Sequence, residues 1–316
     1  MTAFTLTGSA APIVLDGGLA TELEARGHDL SDDLWSARLL RDDPAEIEEV
    51  HLAFYRAGAQ VAVTASYQAS FEGFARAGIS SDEAAGLIRR STELAKRARA
   101  RRLAELEGPA KRRLLVAASV GPYGAMLADG QEYEGNYGLT VEELQAFHRP
   151  RLDALVAGAP DLLAIETIPG VVEAEAVVSL LDELPAIPAW LSYTCADERH
   201  TCEGQTIEHG ARVAARSSRV VAVGVNCTRP EHVDELLARA RTATALPLVA
   251  YPNDGRIWDG LGRRWLGSGV IGFAPETIGR WHELGTRLIG GCCGVGPSAI
   301  SALAASVERI DDSGQG

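Results

Sequence analysis

Apolar residues in this chain follow two alternating patterns. Short runs of β-branched and aliphatic side chains recur between longer stretches with helical periodicity, which is typical of repeated βα units around a parallel sheet. Eight such runs occur, at residues 12–15, 60–64, 114–118, 162–165, 189–192, 220–225, 246–250 and 287–289. Helical stretches include residues 19–26, 44–57, 81–106, 140–157, 171–184, 230–241 and 275–284. Several begin at Pro or at a Ser, Thr or Asp cap, as helices commonly do.

Eight βα units predict a closed (β/α)8 TIM barrel, whose active site lies at the carboxyl ends of the strands. The chain has 316 residues and no low-complexity linker, so we expect one barrel domain over residues 1–316. The candidate site residues are those that follow the predicted strands. They are Asp16-Gly17-Gly18, Ser66-Tyr67-Gln68, Gly121-Pro122-Tyr123, Glu166-Thr167, Asn226-Cys227, Tyr251-Pro252-Asn253 and Cys292-Cys293.

Composition narrows the classes of partner. Hydrophobic residues make up 46% of the chain, which supports a large core, and the net charge of -13 disfavours nucleic acid and anionic membranes. No apolar run is long enough to span a bilayer, and the start of the chain lacks a secretory signal pattern. We therefore expect a cytoplasmic protein with reduced thiols. The polar stretches 128–138 and 194–205 are the two candidate lids.

Three cysteines form the main chemical signal. Cys292 and Cys293 are adjacent and lie among glycines, and Cys227 follows the sixth predicted strand. Adjacent strand residues point to opposite faces, so these two thiols share a ligand only where the backbone turns, and glycine allows such a turn. Three thiolates favour Zn2+ and leave one coordination position open, which is typical of catalytic zinc. The alternatives are a vicinal disulfide and three buried thiols without a shared role.

The predicted site favours a thiol-bearing amino acid as substrate. Zinc with three thiolates carries a charge of about -1 and activates water poorly, whereas it deprotonates a coordinating thiol. Glu166 suits a substrate ammonium group, and the backbone N–H groups of Gly17 and Gly18 after Asp16 suit a carboxylate. The alternative for Glu166 is a structural acid in an ion pair, and for the Asp16 turn an ordinary helix cap.

A second cluster, Cys195, His200 and Cys202, is only weak evidence for a metal site. Its spacing matches no strong zinc pattern, so we predict no metal role for it.

Several motifs together resemble the homocysteine S-methyltransferase family. They are DGGLATELE from Asp16, SYQAS from Ser66, SVGPYGAMLADGQEY from Ser119, FHRPR from Phe147, AIETIP from Ala164, GVNCT from Gly224, YPN from Tyr251 and LIGGCCGVGP from Leu288. The resemblance covers nearly the whole chain and is strongest to the compact enzymes that use S-methylmethionine. It implies a (β/α)8 barrel in which zinc, held by Cys227, Cys292 and Cys293, activates homocysteine.

The resemblance also implies roles for other residues. Asp16, Gly17, Gly18 and Glu166 are expected to bind homocysteine, with Tyr67 and Asn226 as supporting residues. The expected reaction is methyl transfer from a sulfonium, S-methylmethionine or S-adenosylmethionine, to homocysteine, which gives methionine.

The tyrosines on catalytic-side loops are open to two interpretations. Tyr67, Tyr123, Tyr133 and Tyr137 either face the sulfonium by cation–π contact or form packing within a lid.

Alternative functions remain open from the sequence. They are the same chemistry with betaine as donor or selenocysteine as acceptor, and a regulator that binds zinc and thiols without turnover.

Overall fold

Eight parallel strands form the central sheet of the protein. The computed structural model describes residues 11–30, 36–107, 114–259, 264–267 and 273–313, with the single positions Leu6, Leu34 and Gly269. The sheet contains β1 (Ile13–Val14), β2 (Val61–Val63), β3 (Leu115–Val120), β4 (Leu162–Ile168), β5 (Ala189–Tyr193), β6 (Val220–Asn226), β7 (Leu248–Tyr251) and β10 (Thr286–Ile289). An antiparallel hairpin of β8 (Ile257–Asp259) and β9 (Arg264–Leu266) lies between β7 and β10 in the chain.

The sheet closes on itself. Strands β2 to β7 pair in chain order, β7 pairs with β10, and β10 pairs with β1. Leu15 then bridges to Val61, and Gln60 donates its N–H to the Val14 carbonyl at 2.7 Å. The predicted (β/α)8 barrel is confirmed.

Helices follow the strands around the barrel. They are α1 (Leu19–Ala25), α2 (Ser36–Asp42), α3 (Pro44–Arg56), α4 (Phe71–Arg76), α5 (Ser81–Glu105), α6 (Tyr123–Leu127), α7 (Val141–Ala157), α8 (Val171–Leu181), α9 (Ile207–Ala214), α10 (Pro230–Ala243), α11 (Pro275–Glu283) and α12 (Pro297–Ser313). The predicted helices are present, with ends that differ by up to three residues. At α7 a capping box between Thr140 and Glu143 fixes the first turn.

The core has an inner and an outer layer. The inner layer fills the barrel with small and medium apolar side chains around the fully buried Trp190. The outer layer lies between the strands and the helices. Close strand packing requires a glycine at Gly224, because a Cβ there would lie 1.9 Å from the Val249 carbonyl oxygen.

Two strands end in an uncommon backbone conformation. Thr167 in β4 has φ of 58°, and Cys227 directly after β6 has φ of 46°. A β-branched residue at positive φ is a strong outlier, and the β4–β5 register shifts between Ile165 and Ile168. These backbone turns redirect side chains at the carboxyl end of the barrel.

Two features differ from the sequence-based expectation. The strand predicted at 246–250 begins at Leu248, because the Leu246 N–H donates to the Thr244 hydroxyl in a turn and Pro247 has no N–H to pair. The β8–β9 hairpin was not predicted. Among the helices that the structure describes, none has the length and apolar character needed to cross a membrane.

Candidate active site

A cavity of about 110 Å³ lies at the carboxyl ends of the strands. It brings together most of the predicted site residues from separate parts of the chain. Its lining includes Asp16, Gly17, Gly18, Tyr67, Glu166, Cys227, Cys292 and Cys293, together with Tyr133, Thr167 and Tyr251. Asn226 is fully buried and is not among the lining residues.

The three cysteines converge at one wall of the cavity. Their Sγ atoms lie within 4.8 Å of one another, and those of Cys227 and Cys293 are 3.4 Å apart. The chain turns sharply after Cys292, where the Val295 N–H donates to the Cys292 carbonyl at 3.1 Å and Gly294 has φ of 82°. Both adjacent thiols can therefore face Cys227. All three are free thiols, so no vicinal disulfide is formed.

The sulfur positions fit a tetrahedral metal ion. Zinc–sulfur bonds of about 2.3 Å place tetrahedral sulfur ligands about 3.8 Å apart, close to the observed separations. Within the described ranges, no other group of three or more His, Cys, Asp or Glu side chains converges in this way. The donor set is entirely soft thiol, which favours zinc over magnesium or calcium.

The three neighbouring thiols shift one another's pKa values. Hydrogen bonds from Cys292 and Cys293 hold the pKa of Cys227 well below its usual range. The same contacts raise the pKa of Cys292 and Cys293. Cys227 is therefore the thiol of the three that ionises most readily.

Asn226 links the strand ends behind the cavity. Its Oδ1 accepts from the Thr167 N–H at 2.7 Å and from the Ser192 hydroxyl at 2.8 Å. Its Nδ2 donates to the Thr167 hydroxyl at 2.8 Å and lies 3.9 Å from the Cys292 sulfur. The amide therefore holds β4, β5 and the cysteine turn in register.

Glu166 is a buried carboxylate, and among the described residues no cationic side chain contacts it. Its Oε1 accepts from the Ser119 hydroxyl, and its Oε2 accepts from the Tyr251 hydroxyl at 3.1 Å. Burial raises the pKa of Glu166 to about 7, against the lowering effect of these two hydrogen bonds. No ion pair is recorded for Glu166, so the structural ion-pair interpretation finds no support in the described part of the chain.

The Asp16 turn lies beside the cysteine turn. Asp16 Oδ2 accepts from the Val63 N–H at 2.8 Å, and burial raises the pKa of the carboxyl well above its usual range, with Glu166 adding repulsion. The Gly18 N–H already donates to the Val295 carbonyl at 2.9 Å. Of the two N–H groups expected to face a carboxylate, that of Gly18 is therefore occupied.

The four candidate tyrosines divide into two pairs. Tyr67 and Tyr133 line the cavity, and the Tyr133 hydroxyl lies 3.2 Å from the Cys227 sulfur. Tyr123 instead packs on Tyr137 and Phe147, with ring centroids 5.2 and 5.0 Å apart. Only the first pair can face a ligand in the cavity; the second pair packs within the loop.

A buried arginine fixes the position of Tyr67. Arg151 on α7 donates to the Gly121 carbonyl at 2.7 Å, to the Ser66 carbonyl at 3.0 Å and to the Tyr67 carbonyl. Burial lowers the pKa of Arg151 to about 10. The guanidinium thus joins the segments after β2 and β3.

The second cluster, Cys195, His200 and Cys202, is not part of the group of three converging thiols. The Cys202 sulfur is 3.9 Å from the Thr194 hydroxyl, and His200 Nδ1 is 2.9 Å from Asp197. Bridges between Cys195 and Thr201 and between His200 and Thr206 make this loop a compact turn. The two candidate lids also meet, because the Asn136 N–H donates to Glu203 at 2.9 Å.

Three contacts within the site were not predicted from the sequence. Ser119 and Tyr251 bind Glu166, and Tyr133 contacts Cys227. Ser119 and Tyr251 lie at the carboxyl ends of strands, and in a barrel that position alone indicates a site residue. Tyr133 lies in a loop, and no local pattern identifies its contact.

Comparison with known proteins agrees with this site. The family model described as homocysteine S-methyltransferase matches residues 13–307. The homocysteine S-methyltransferase of Escherichia coli (strain K12) is 47% identical over 93% of this chain and 94% of its own. Homocysteine S-methyltransferase YbgG of Bacillus subtilis (strain 168) is 43% identical over 94% and 95%.

A solved structure is also similar. The crystal structure of the homocysteine methyltransferase MmuM from Escherichia coli, metallated form, aligns with a TM-score of 0.84 and 46% identity over 93% of this chain and 96% of that one. The match of the family model and the similarity to these relatives both extend over almost the whole barrel. The chain therefore belongs to the homocysteine S-methyltransferase family and is a methyltransferase.

Proposed function

We propose that this enzyme transfers a methyl group from a sulfonium donor, S-methylmethionine ahead of S-adenosylmethionine, to the thiolate of L-homocysteine, which gives methionine. The observation that carries this proposal is the convergence of three free thiols with buried Glu166 and Asp16 in one cavity. The names of the relatives support homocysteine as the acceptor.

We propose Cys227, Cys292 and Cys293 as the ligands of Zn2+. When bound, zinc would activate the substrate thiol by lowering its pKa, so that the sulfur is a nucleophilic thiolate. Support comes from the sulfur separations and from the similarity to a relative solved in metallated form.

The carboxyl groups of the cavity then orient homocysteine. Glu166 in its anionic form holds the ammonium group, since no cationic side chain of the described residues contacts it. Asp16 and the Gly17 N–H lie together in the cavity and face the homocysteine carboxylate; burial raises the pKa of Asp16 well above its usual range, which favours the protonated form that can donate to that carboxylate. Tyr67 lines the same cavity, and Asn226 holds the cysteine turn in place.

The transfer itself cancels charge. An electron pair of the homocysteine thiolate forms the new S–CH3 bond while the donor S–CH3 bond breaks, and that bond's electron pair stays on the leaving sulfur. The sulfonium becomes a neutral thioether. Because an anion and a cation become two neutral molecules, a closed cavity with little water favours the step.

A donor comparison tests the proposal. Single-turnover methyl transfer to homocysteine is measured with S-methylmethionine, S-adenosylmethionine, betaine and methyltetrahydrofolate, and we expect S-methylmethionine to be fastest. Faster transfer from betaine or methyltetrahydrofolate would contradict the donor assignment. Absence of methionine with every donor would favour a non-catalytic binder, and a preference for selenocysteine would change the acceptor.

Metal analysis tests the ligand assignment. Cys227→Ser, Cys292→Ser and Cys293→Ser should each lower zinc content from about one per chain and abolish most turnover. The matched controls Cys195→Ser and Cys202→Ser should keep both. Full zinc and activity in any of the first three variants would remove the basis of the assignment.

A further inference from the structure

The end of β7 and the residues after it contact the backbone on both sides of the cysteine cluster. The Tyr251 carbonyl accepts from the Cys227 N–H at 3.1 Å, and the Pro252 carbonyl accepts from the Cys292 N–H at 2.8 Å. Residues 251–254 thus lie between the two parts of the chain that carry the thiols. The backbone of this segment therefore sets the distance between those two parts.

Asp254, the last residue of the segment, contacts the chain at Cys293 in two ways. Its N–H donates to the Cys293 carbonyl at 3.0 Å. Its carboxylate lies against Gly294, where φ is 82° and an added Cβ would lie 2.0 Å from Asp254 Oδ2. The carboxylate thus occupies the space that a side chain at position 294 would fill, directly after the last cysteine.

The carboxylate of Asp254 is itself held in a fixed position. The residue is only 6% exposed, and its Oδ2 accepts from Arg256 Nε at 2.7 Å. Its Oδ1 accepts from the Arg256 backbone N–H at 3.1 Å. Arg256 directly precedes β8, so the ion pair joins the cysteine turn to the base of the β8–β9 hairpin. Removing one side of a largely buried ion pair leaves the other charge poorly compensated.

The three cysteines differ in how they are attached to the segment. Cys227 and Cys292 donate to it through their own N–H groups, and Asn253 Nδ2 lies 3.4 Å from the Cys227 carbonyl oxygen. Cys293 is attached through its carbonyl, which accepts from Asp254. A displacement of Asp254 should therefore move Cys293 before it moves the other two thiols.

We infer that Asp254, held by Arg256, is a positioning residue that keeps the Cys293 thiol where a tetrahedral metal ion needs it. This inference rests on the proposed zinc ligation. Groups that orient metal ligands commonly change metal affinity 10- to 100-fold when they are altered. The described lining of the cavity includes neither Asp254 nor Arg256, so the pair acts on the ligand and not on the substrate.

The test measures Zn2+ affinity and the number of bound thiolates. Asp254→Asn keeps the size of the side chain but removes the charge that pairs with Arg256. It should weaken Zn2+ affinity about 10- to 100-fold in competition with a chromophoric chelator. Co2+ in place of zinc reports bound thiolates through its sulfur-to-metal charge-transfer absorption. We expect that absorption to fall by about one third, since one ligand of three is displaced.

Controls separate positioning from general stability. Asp234→Asn breaks another Asp–Arg ion pair, with Arg280 at 2.9 Å, and should match the wild type in both measurements. Arg256→Gln should reproduce the defect from the other partner, and it provides the same test if Asp254→Asn does not fold. In the double variant the two losses should not add, because either substitution already breaks the pair.

Three results would overturn the inference. They are unchanged Zn2+ affinity in both Asp254→Asn and Arg256→Gln, weaker affinity with an undiminished Co2+ charge-transfer band, and an equal loss in Asp234→Asn. Failure of the proposed zinc ligation is distinguishable, because the wild type itself would then lack the three-thiolate band. Failure of methyl transfer alone would leave all the metal measurements as predicted.

Discussion

At the scale of single residues, the site depends on carboxyl groups that lack cationic partners. Glu166 accepts hydrogen bonds from two neutral hydroxyl groups, and burial raises its pKa to about 7. Cys227 raises this pKa by repulsion, and Arg151 lowers it by attraction. The protonation state of Glu166 therefore changes within the physiological pH range.

Ligand affinity should consequently depend on pH. In the proposed binding mode the ammonium group of the amino acid pairs with anionic Glu166. Because burial raises the pKa of Glu166 to about 7, the anionic form becomes more populated and affinity should rise as pH increases. Methionine is the suitable probe because its side chain does not titrate. Calorimetry should show binding about tenfold weaker at pH 6 than at pH 8.

A single substitution identifies the group responsible. Glu166→Gln should bind methionine weakly at every pH and lose the slope. A slope that persists in this variant would assign the titration to another group, such as Asp16. A flat profile in the wild type would show that Glu166 stays anionic throughout.

At the scale of elements, the strands were predictable because most combine a short aliphatic or β-branched run with polar residues at or soon after its end. The fold and the grouping of Asp16, Glu166, Cys227, Cys292 and Cys293 at one end follow from that pattern. The loops were not predictable in the same way. Two contacts join segments that are distant in the chain: that of Tyr133 with Cys227, and the three hydrogen bonds from Arg151 to backbone carbonyl groups, here called the Arg151 clamp. Neither contact produces a local periodic pattern in the sequence.

The Arg151 clamp should affect catalysis by positioning Tyr67. Arg151→Lys keeps the charge but loses the planar fork that reaches three carbonyl groups. We expect kcat/KM to fall about 10- to 100-fold, since displacement of a cavity wall by about 1 Å costs that much. Steady-state kinetics at saturating homocysteine measure the change.

Two further variants test whether Arg151 acts by positioning Tyr67. Arg149→Lys, on the exposed face of the same helix, should behave as the wild type. Gly121→Ala should reproduce the defect from the other side, because a Cβ there would lie 2.5 Å from the Tyr67 carbonyl oxygen. Normal kinetics with lowered thermal stability in Arg151→Lys would limit the clamp to a structural role.

At the scale of the whole molecule, one buried histidine should limit acid stability. His51 on α3 is fully buried, and neither ring nitrogen has a hydrogen-bond partner. Burial lowers its pKa to about 4, below the value of about 6.5 expected in the unfolded chain. The unfolded state therefore binds the proton more readily, and stability decreases as pH falls from 6.5 towards 4.

Denaturant unfolding at two pH values measures this effect. Between pH 7 and pH 5, His51 should account for a loss of about 2 kcal/mol in the free energy of unfolding. His51→Leu should lack that part of the loss, whereas His209→Gln, on a partly exposed side chain, should retain it. Identical pH dependence in wild type and His51→Leu would show that His51 does not control it.

The amide of Asn226 has a consequence for any attempt to transplant the site. It contacts Thr167, Ser192 and Cys292, which belong to three segments of the barrel. Three cysteines grafted onto another barrel would supply the three thiols but not the amide that aligns them with the neighbouring strands. A transplanted site should therefore include the three cysteines, Asn226, and Thr167 with its left-handed backbone conformation.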